Sequence, residues 1–331
     1  MTTLAPLLEA FFTDRLRQQR QASAHTIAAY RDTFRLLLTF AKDDVGKAPS
    51  GLALTDLDAP FIVRFLGHLE KKRGNAIATR NARLAAVHSF FRYVELREPA
   101  HAALIQRVLA IPHKRTEKKL VAFLSRREFE AMLAAPDQTT PLGRRDYALL
   151  LLAIQTGLRV SELTALTLED VRLDRGAAHV RCHGKGRKER ITPLTAQTIK
   201  ALRAYLRDRA GHPLTAPLFL SRRRGPMSRD AVEHLVEGHR ARAAKTCPSL
   251  ATKNVSPHVL RHTSAMMLLH AGTDRSVIAL WLGHESIETT EIYLHADLAT
   301  KERAIAKTAP PRTRQARYRP PDALLGFLQG L

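Results

Sequence analysis

The chain has 331 residues, more than one hydrophobic core usually serves, so its length favours two domains. Lys and Arg number 53 against 31 for Asp and Glu, and the formal net charge of +22 indicates nucleic acid as the partner, with a merely basic protein or a membrane-surface binder as the alternative. Two cysteines are too few for a disulfide framework or a Cys-rich zinc site. The lack of a signal-peptide pattern or a long apolar run predicts a cytoplasmic protein that spans no membrane.

The first hundred residues have the apolar spacing of amphipathic helices. Ser23 is placed to cap the second of them, and a break rich in Gly and Pro follows it. Basic residues lie among the helices, either as DNA contacts or as a solvated face. We therefore expect residues 1–110 to form a helical domain. The helices are expected at residues 4–20, 24–42, 59–72 and 76–94.

A polar, basic stretch, IPHKRTEKK at residues 111–119, separates this domain from the rest of the chain. Its proline cannot sit inside a helix, so we interpret the stretch as an interdomain linker that could lie along DNA phosphates. A second domain is expected over residues 120–302. Residues 303–331 then form a C-terminal tail with apolar residues available to dock on a neighbouring subunit.

The second domain is expected to be helical around one small sheet. Ser125 is placed to cap a helix that runs to about Ala134, and a nearly continuous apolar helix over residues 146–156 ends at Gly157. Alternating residues from Val171 onward, with a glycine-flanked basic turn, predict a small antiparallel sheet. The fold class is therefore mainly α with a small antiparallel β-sheet. Further helices are expected at residues 195–209, 228–244, 257–271 and 274–282.

Four segments of the second domain resemble, in order, the signature boxes of the tyrosine recombinases, the phage-integrase and Xer-like family. They are TGLRVSEL at 156–163, GKGRKER at 184–190, HVLRH at 258–262 and LGHESIETTEIYLH at 282–295. The N-terminal domain and linker also resemble those of the family, so the resemblance covers nearly the whole chain. It assigns six catalytic positions, and each holds the expected residue: Arg159, Lys185, His258, Arg261, His284 and Tyr293.

The chemistry of these residue types agrees with that assignment. Rejoining a phosphodiester without ATP requires its bond energy to be stored, and a covalent phosphotyrosine at Tyr293 would store it. Two planar guanidiniums, Arg159 and Arg261, suit the charged oxygens of the pentacoordinate phosphorus better than a lysine would. His258 and Arg261 are three residues apart on a helix that Ser256 caps, so both project from one face.

Proton transfer needs further groups. Lys185, on a turn flanked by glycines, is expected to protonate the leaving 5′ oxygen; the alternative is a hairpin lysine that contacts phosphate, with Lys188 or Arg187 in the catalytic role. His258 is expected to accept the proton of Tyr293. His284 is expected to hydrogen-bond a phosphate oxygen or to be structural. Glu162, three residues after Arg159, is placed to orient a catalytic side chain.

The resemblance also implies how the protein works as a whole. It implies a two-domain clamp on double-stranded DNA, with a SAM-like core-binding domain and a catalytic domain. A homotetramer on inverted-repeat sites would exchange strands through 3′-phosphotyrosine and Holliday-junction intermediates, for integration, excision or transposition of a mobile element. No carboxylate cluster resembles a two-metal site, so no metal or other cofactor is expected. An Xer-like resolvase, a type IB topoisomerase and a non-cleaving DNA-binding accessory protein are the alternatives.

Overall fold

A computed structural model divides the chain into two compact units, Met1–Lys118 and Lys119–Leu331. The structure describes residues 2–116, 121–174, 176–184, 189–209 and 211–283. In these ranges, no helix has both the length and the apolar character needed to cross a membrane. The first and third predicted boxes lie wholly within these ranges, whereas only part of the second and of the fourth does.

The first unit consists of helices around a core rich in phenylalanine. The rings of Phe11, Phe34 and Phe90 pack edge to face, with centroids 5.3–6.1 Å apart. Ser23 caps the second α-helix as predicted, since its side chain accepts a 3.2 Å hydrogen bond from the amide of Thr26. The elements are α1 (Leu4–Ala10), a π-helical segment (Phe11–Gln19), α2 (Ala24–Val45), α3 (Ala59–Lys71), α4 (Ile77–Glu95) and α5 (Ala102–Leu109).

The first predicted helix is only partly an α-helix. Its second half, Phe11–Gln19, is a π-helix, in which amides bond five residues back, as Arg20 does to Arg15. Phe11 and Leu16 are both fully buried although they are five residues apart, a spacing that suits the wider turn better than an α-helix. The helix α5 was not predicted, because eight residues give little periodic signal.

The first part of the predicted linker is bound to the first unit. The carbonyl of Pro112 accepts a 3.1 Å hydrogen bond from Arg80, and Asn81 exchanges two hydrogen bonds with the backbone of Lys114. The Lys114 ammonium also pairs with Glu70 at 2.8 Å. Residues 117–120 and 303–331 lie outside the described residues, and the boundaries predicted for linker, catalytic domain and tail remain predictions.

In the second unit, the apolar helix α7 (Pro141–Thr156) packs against α9 (Ala196–Arg207) and α11 (Pro257–His270). It begins at Pro141, five residues earlier than predicted, because Thr140 caps it and proline suits the first turn. It ends at Gly157 as predicted. The helices are α6 (Arg126–Ala134), α7 (Pro141–Thr156), α8 (Val160–Ala165), α9 (Ala196–Arg207), α10 (Arg229–Ala243), α11 (Pro257–His270) and α12 (Arg275–Leu282).

One three-stranded antiparallel sheet completes the described part of the second unit. Its strands are β1 (Val171–Arg172), β2 (His179–His183) and β3 (Glu189–Pro193), and they pair in sequence order. In the β2–β3 register Cys182 is opposite Arg190, and Thr192 is buried on β3. This sheet confirms the predicted fold class, mainly α with a small antiparallel β-sheet.

Candidate active site

Arg159 lies between a glycine turn and α8, and Glu162 binds both its backbone amide and its guanidinium. The backbone amide of Arg159 donates to Glu162 Oε2, and its Nη1 donates to Oε1, each at 2.8 Å. The Glu162 side chain is only 4% exposed, whereas that of Arg159 is 36% exposed. The predicted orienting role of Glu162 therefore agrees with its contacts, and its target is Arg159.

Arg261 projects from the first turns of α11, which Ser256 caps as predicted. Its guanidinium is almost fully buried and binds two carbonyl oxygens, those of Gly157 at 2.6 Å and of Leu282 at 2.7 Å. A buried cation needs such partners because desolvation is costly. Arg261 thus ties the end of α7 to the end of α12.

The C-terminal end of α12 is the meeting point of the arginines. The carbonyl of Gly283 accepts a 2.9 Å hydrogen bond from Arg159 Nη2, while that of Leu282 accepts from Arg261 and, at 2.9 Å, from Arg190 Nη1. The last carbonyls of a helix carry partial negative charge, which favours cations at this position. Arg159 and Arg261, predicted from separate boxes, are therefore brought to one place, directly before His284 in the chain.

Two glycines make this close packing possible. Gly157 has φ +62° and Gly283 has φ +65°, a left-handed conformation that other residues adopt only with strain. A Cβ on Gly157 would overlap the Cδ2 atom of Leu282, and one on Gly283 would overlap the guanidinium of Arg190. Both positions therefore favour glycine for its conformation, and a Cβ at either one would also displace a neighbouring side chain.

His258 lies one turn before Arg261 on α11, with much of its surface exposed to solvent. Partial desolvation of the ring lowers its pKa below the ordinary value, and the positive charges of Arg261, Arg159 and Arg229 lower it further. Its ring contacts that of His262, with centroids 4.2 Å apart. At neutral pH the imidazole is uncharged, which is the form that can accept a proton.

Arg190, the last residue of the second box, is a site residue to which the sequence analysis assigned no role. Its Nη2 atom binds Glu162 Oε2 at 2.9 Å, in addition to its bond to Leu282. The sequence could have indicated that the Arg190 side chain faces inward, because Arg190 lies two residues before the buried Thr192 and therefore on the same face of β3. Lys185, His284 and Tyr293, together with the competing Arg187 and Lys188, lie outside the described residues.

A basic, open cavity of about 650 Å³ lies elsewhere in the second unit. One carboxylate, Asp146, pairs there with Arg145 at 2.7 Å and with His239 at 2.9 Å, so the cavity keeps an excess of positive charge. Within the described ranges no group of three or more His, Cys, Asp or Glu residues could hold a metal ion. The titratable residues that line the cavity are Arg145, Asp146, Arg222, Arg223, His234, His239 and Arg242.

Two family models match the chain and define its class. Residues 122–299 match the phage integrase family, and residues 10–98 match the N-terminal SAM-like domain of phage integrases. A putative integrase/recombinase y4rC of Sinorhizobium fredii is 54% identical over 99% of this chain and 98% of its own length. The tyrosine recombinase XerC of Pelobacter propionicus is 35% identical over 89% of this chain and 93% of its own.

Solved structures share the fold. The Tn1549 transposon integrase in complex with a circular intermediate DNA has a TM-score of 0.69 at 17% identity, covering 93% of this chain and 100% of its own. The XerH recombinase bound to palindromic difH substrate has a TM-score of 0.67 at 23% identity, covering 87% and 81%. This chain belongs to the phage integrase family of tyrosine recombinases, and it is a DNA strand-exchange enzyme.

Proposed function

We propose that this protein cleaves and rejoins double-stranded DNA at specific sites through Tyr293, in the recombination of a mobile element. The observation that carries the proposal is the convergence of Arg159 and Arg261 on the last carbonyls of α12. His284 is the next residue in the chain, and Tyr293 follows nine residues later. Two guanidiniums that the sequence separates by 102 positions are thus held beside the start of the box that contains the nucleophile.

The proposed reaction balances with the side chains of the six predicted residues. The phenol oxygen of Tyr293 attacks phosphorus, and His258 accepts its proton. The bond from phosphorus to the 5′ oxygen breaks, Lys185 gives that oxygen a proton, and DNA remains attached to the enzyme as a 3′-phosphotyrosine. Attack by the 5′ hydroxyl of a partner strand reverses these steps and joins the new strand.

Arg159 and Arg261 stabilise the charge that develops on the non-bridging oxygens, and His284 donates a further hydrogen bond. The low pKa of His258 supports its role, because a neutral imidazole is available at physiological pH. Positive charge is then supplied by side chains alone, without a metal or other cofactor.

Double-stranded DNA as the substrate is supported by the net charge of +22 and by the basic cavity of the second unit. The family implies a clamp of two domains on inverted-repeat sites, a homotetramer on synapsed DNA and a Holliday-junction intermediate. We propose the same arrangement and intermediate for this chain, and we propose that the enzyme acts in the cytoplasm. The similarity to y4rC over nearly the whole length and the fold shared with a transposon integrase favour the mobile-element role.

An Xer-like resolvase is the second candidate, because XerC is 35% identical over most of the chain. A non-cleaving accessory protein would not need all six catalytic residue types, which this chain retains. A type IB topoisomerase would relax supercoiled DNA without joining two sites. A search for inverted repeats beside the gene, together with an assay of the products formed from two partner sites, would separate these alternatives.

A covalent trapping assay tests the proposal. The wild-type protein is incubated with a nicked suicide substrate and run on a denaturing gel beside Tyr293→Phe. We expect a protein–DNA adduct from the wild type and none from Tyr293→Phe, with equal DNA binding, since the attacking oxygen alone is removed.

Tyr147→Phe is the matched control and should form the adduct. Among the contacts of the described structure, the Tyr147 hydroxyl bonds only to Gln197. An adduct with Tyr293→Phe would contradict the assignment.

A further inference from the structure

Arg190 connects three parts of the second unit that the sequence analysis treated separately. It is the second residue of β3 and follows Lys185 by five positions in the chain. Its guanidinium binds the carboxylate of Glu162 through Nη2 and the carbonyl of Leu282 through Nη1. The strand β3, the helix α8 and the end of α12 therefore meet at one side chain.

The Glu162 carboxylate is shared between two arginines. Its Oε1 accepts from Arg159 Nη1 at 2.8 Å, and its Oε2 accepts from the Arg159 amide and from Arg190 Nη2. Because the carboxylate is buried, it has little freedom to shift once both of its oxygens are occupied. Arg190 thereby fixes one side of Glu162, and Glu162 fixes the direction of the Arg159 guanidinium.

The burial of Arg190 separates its role from that of Arg159. Its side chain is 13% exposed, against 36% for Arg159, although the two terminal nitrogens of both guanidiniums have protein partners. The glycine at 283 leaves the space that this guanidinium fills. Arg159 is the more accessible of the two guanidiniums, and Arg190 is connected to it through the Glu162 carboxylate.

We propose that Arg190 is a positioning residue of this recombinase, which acts through Glu162 and the Leu282 carbonyl to keep Arg159 directed at the scissile phosphate. The inference rests on the proposed function, because it needs a phosphate for Arg159 to bind. Preorganised charges stabilise a transition state only while they are held in place, and a displacement of about 1 Å can cost roughly 100-fold in rate.

Arg190→Met tests the inference, because methionine keeps an unbranched apolar stem and donates no hydrogen bond. We expect single-turnover adduct formation to fall by roughly 100-fold, while DNA affinity stays within about threefold of wild type. Arg190→Lys should recover only part of the rate, since an ammonium cannot reproduce the planar fork that spans Glu162 and Leu282. Arg181→Met, on the neighbouring strand and paired only with Asp170 at 3.6 Å among described residues, is the matched control and should react like the wild type.

A second substrate separates positioning of Arg159 from general loss of structure. Replacing one non-bridging oxygen of the scissile phosphate by a methyl group removes the charge that Arg159 stabilises. If Arg190 acts through Arg159, the deficit of Arg190→Met shrinks on this methylphosphonate, by about tenfold or more relative to normal DNA. A protein that is merely less folded loses the same factor on both substrates.

The outcomes are distinguishable. An Arg190→Met protein that folds and cleaves within about threefold of wild type, or that loses equal activity on both substrates, overturns the inference alone. If Arg190→Met fails to fold, Arg190→Lys is compared on the two substrates by the same criterion. A wild-type protein that forms no adduct at Tyr293 overturns the proposed function, and this inference falls with it.

Discussion

The carbonyl oxygen of Gly157 accepts a 2.6 Å hydrogen bond from Nη1 of Arg261, which is 104 positions away in the sequence. The glycine has φ +62°, and Leu282 and Ser264 occupy the space where a side chain would project. The turn that precedes Arg159 is thus part of the same packed contact that holds Arg261.

Gly157→Ala should therefore damage both stability and cleavage. A left-handed alanine costs about 1–2 kcal/mol, and displacement of Leu282 adds about 1–3 kcal/mol. Gly272→Ala is the matched control, because Gly272 also has positive φ, at +83°, but has nothing within 4 Å of its Cβ position. Denaturant unfolding should show the larger loss for Gly157→Ala, and equal losses would contradict the packing argument.

Lys185 can be tested by changing the leaving group. If Lys185 protonates the 5′ oxygen, replacement of that bridging oxygen by sulfur removes the need for a proton, because a thiolate leaves readily without one. Lys185→Ala should then be slow on normal DNA and nearly wild type on the 5′-bridging phosphorothioate, as measured by adduct formation.

A Lys185 that only contacts phosphate behaves differently. Its loss should weaken binding to both substrates and reduce the salt slope by about one unit. If sulfur fails to rescue Lys185→Ala, the role of general acid passes to Lys188 or Arg187, each of which can be substituted and measured on the same pair of substrates.

Cleavage is expected to proceed in excess EDTA. Arg159, Arg261 and Lys185 supply the positive charge that metal ions provide in other phosphoryl-transfer enzymes. Adduct formation on the suicide substrate is measured with and without chelator, and DNA binding is measured in parallel. Strict dependence of the adduct on magnesium or manganese, with binding intact in EDTA, would refute this prediction.

Acid should weaken the second unit through Glu128. Burial alone would raise the pKa of this carboxyl, but hydrogen bonds from Lys253, the Ser125 amide and the Ser249 hydroxyl outweigh burial and hold the pKa at about 2. A carboxyl with a lowered folded-state pKa contributes stability that is fully present above its unfolded value of 4.5 and is lost as the pH falls toward 2. That contribution is about 3 kcal/mol.

Glu128→Gln should therefore be less stable than the wild type at pH 7, and the difference should narrow between pH 4.5 and pH 2. Unfolding free energies from denaturant titrations at several pH values measure it. Glu130→Gln is the control, because Glu130 is exposed in its pair with Arg126 and should change stability little at any pH. A difference for Glu128→Gln that is independent of pH would refute the argument.

The sequence by itself determined the fold class, most helix bounds in the described ranges and the family of the protein. Caps such as Ser23, Ser125 and Ser256 are local signals, because a side chain bonds an amide only three residues away. The alternation that predicted the sheet is equally local. The π-helix that begins at Phe11 was not predicted, because the apolar spacing of a short π-helical segment resembles that of an amphipathic α-helix.

Only the tertiary structure decided which side chains support the candidate site. Arg190 reaches Leu282 across 92 positions, and Arg159 reaches Gly283 across 124, so no sequence window contains either pair. The sequence placed Glu162 near Arg159, but the sharing of its carboxylate with Arg190 depends on how β3 packs against α8. Buried ionic groups must find partners wherever the fold brings them, because desolvation makes an unpaired charge too costly, and that partner choice is a property of the packed molecule.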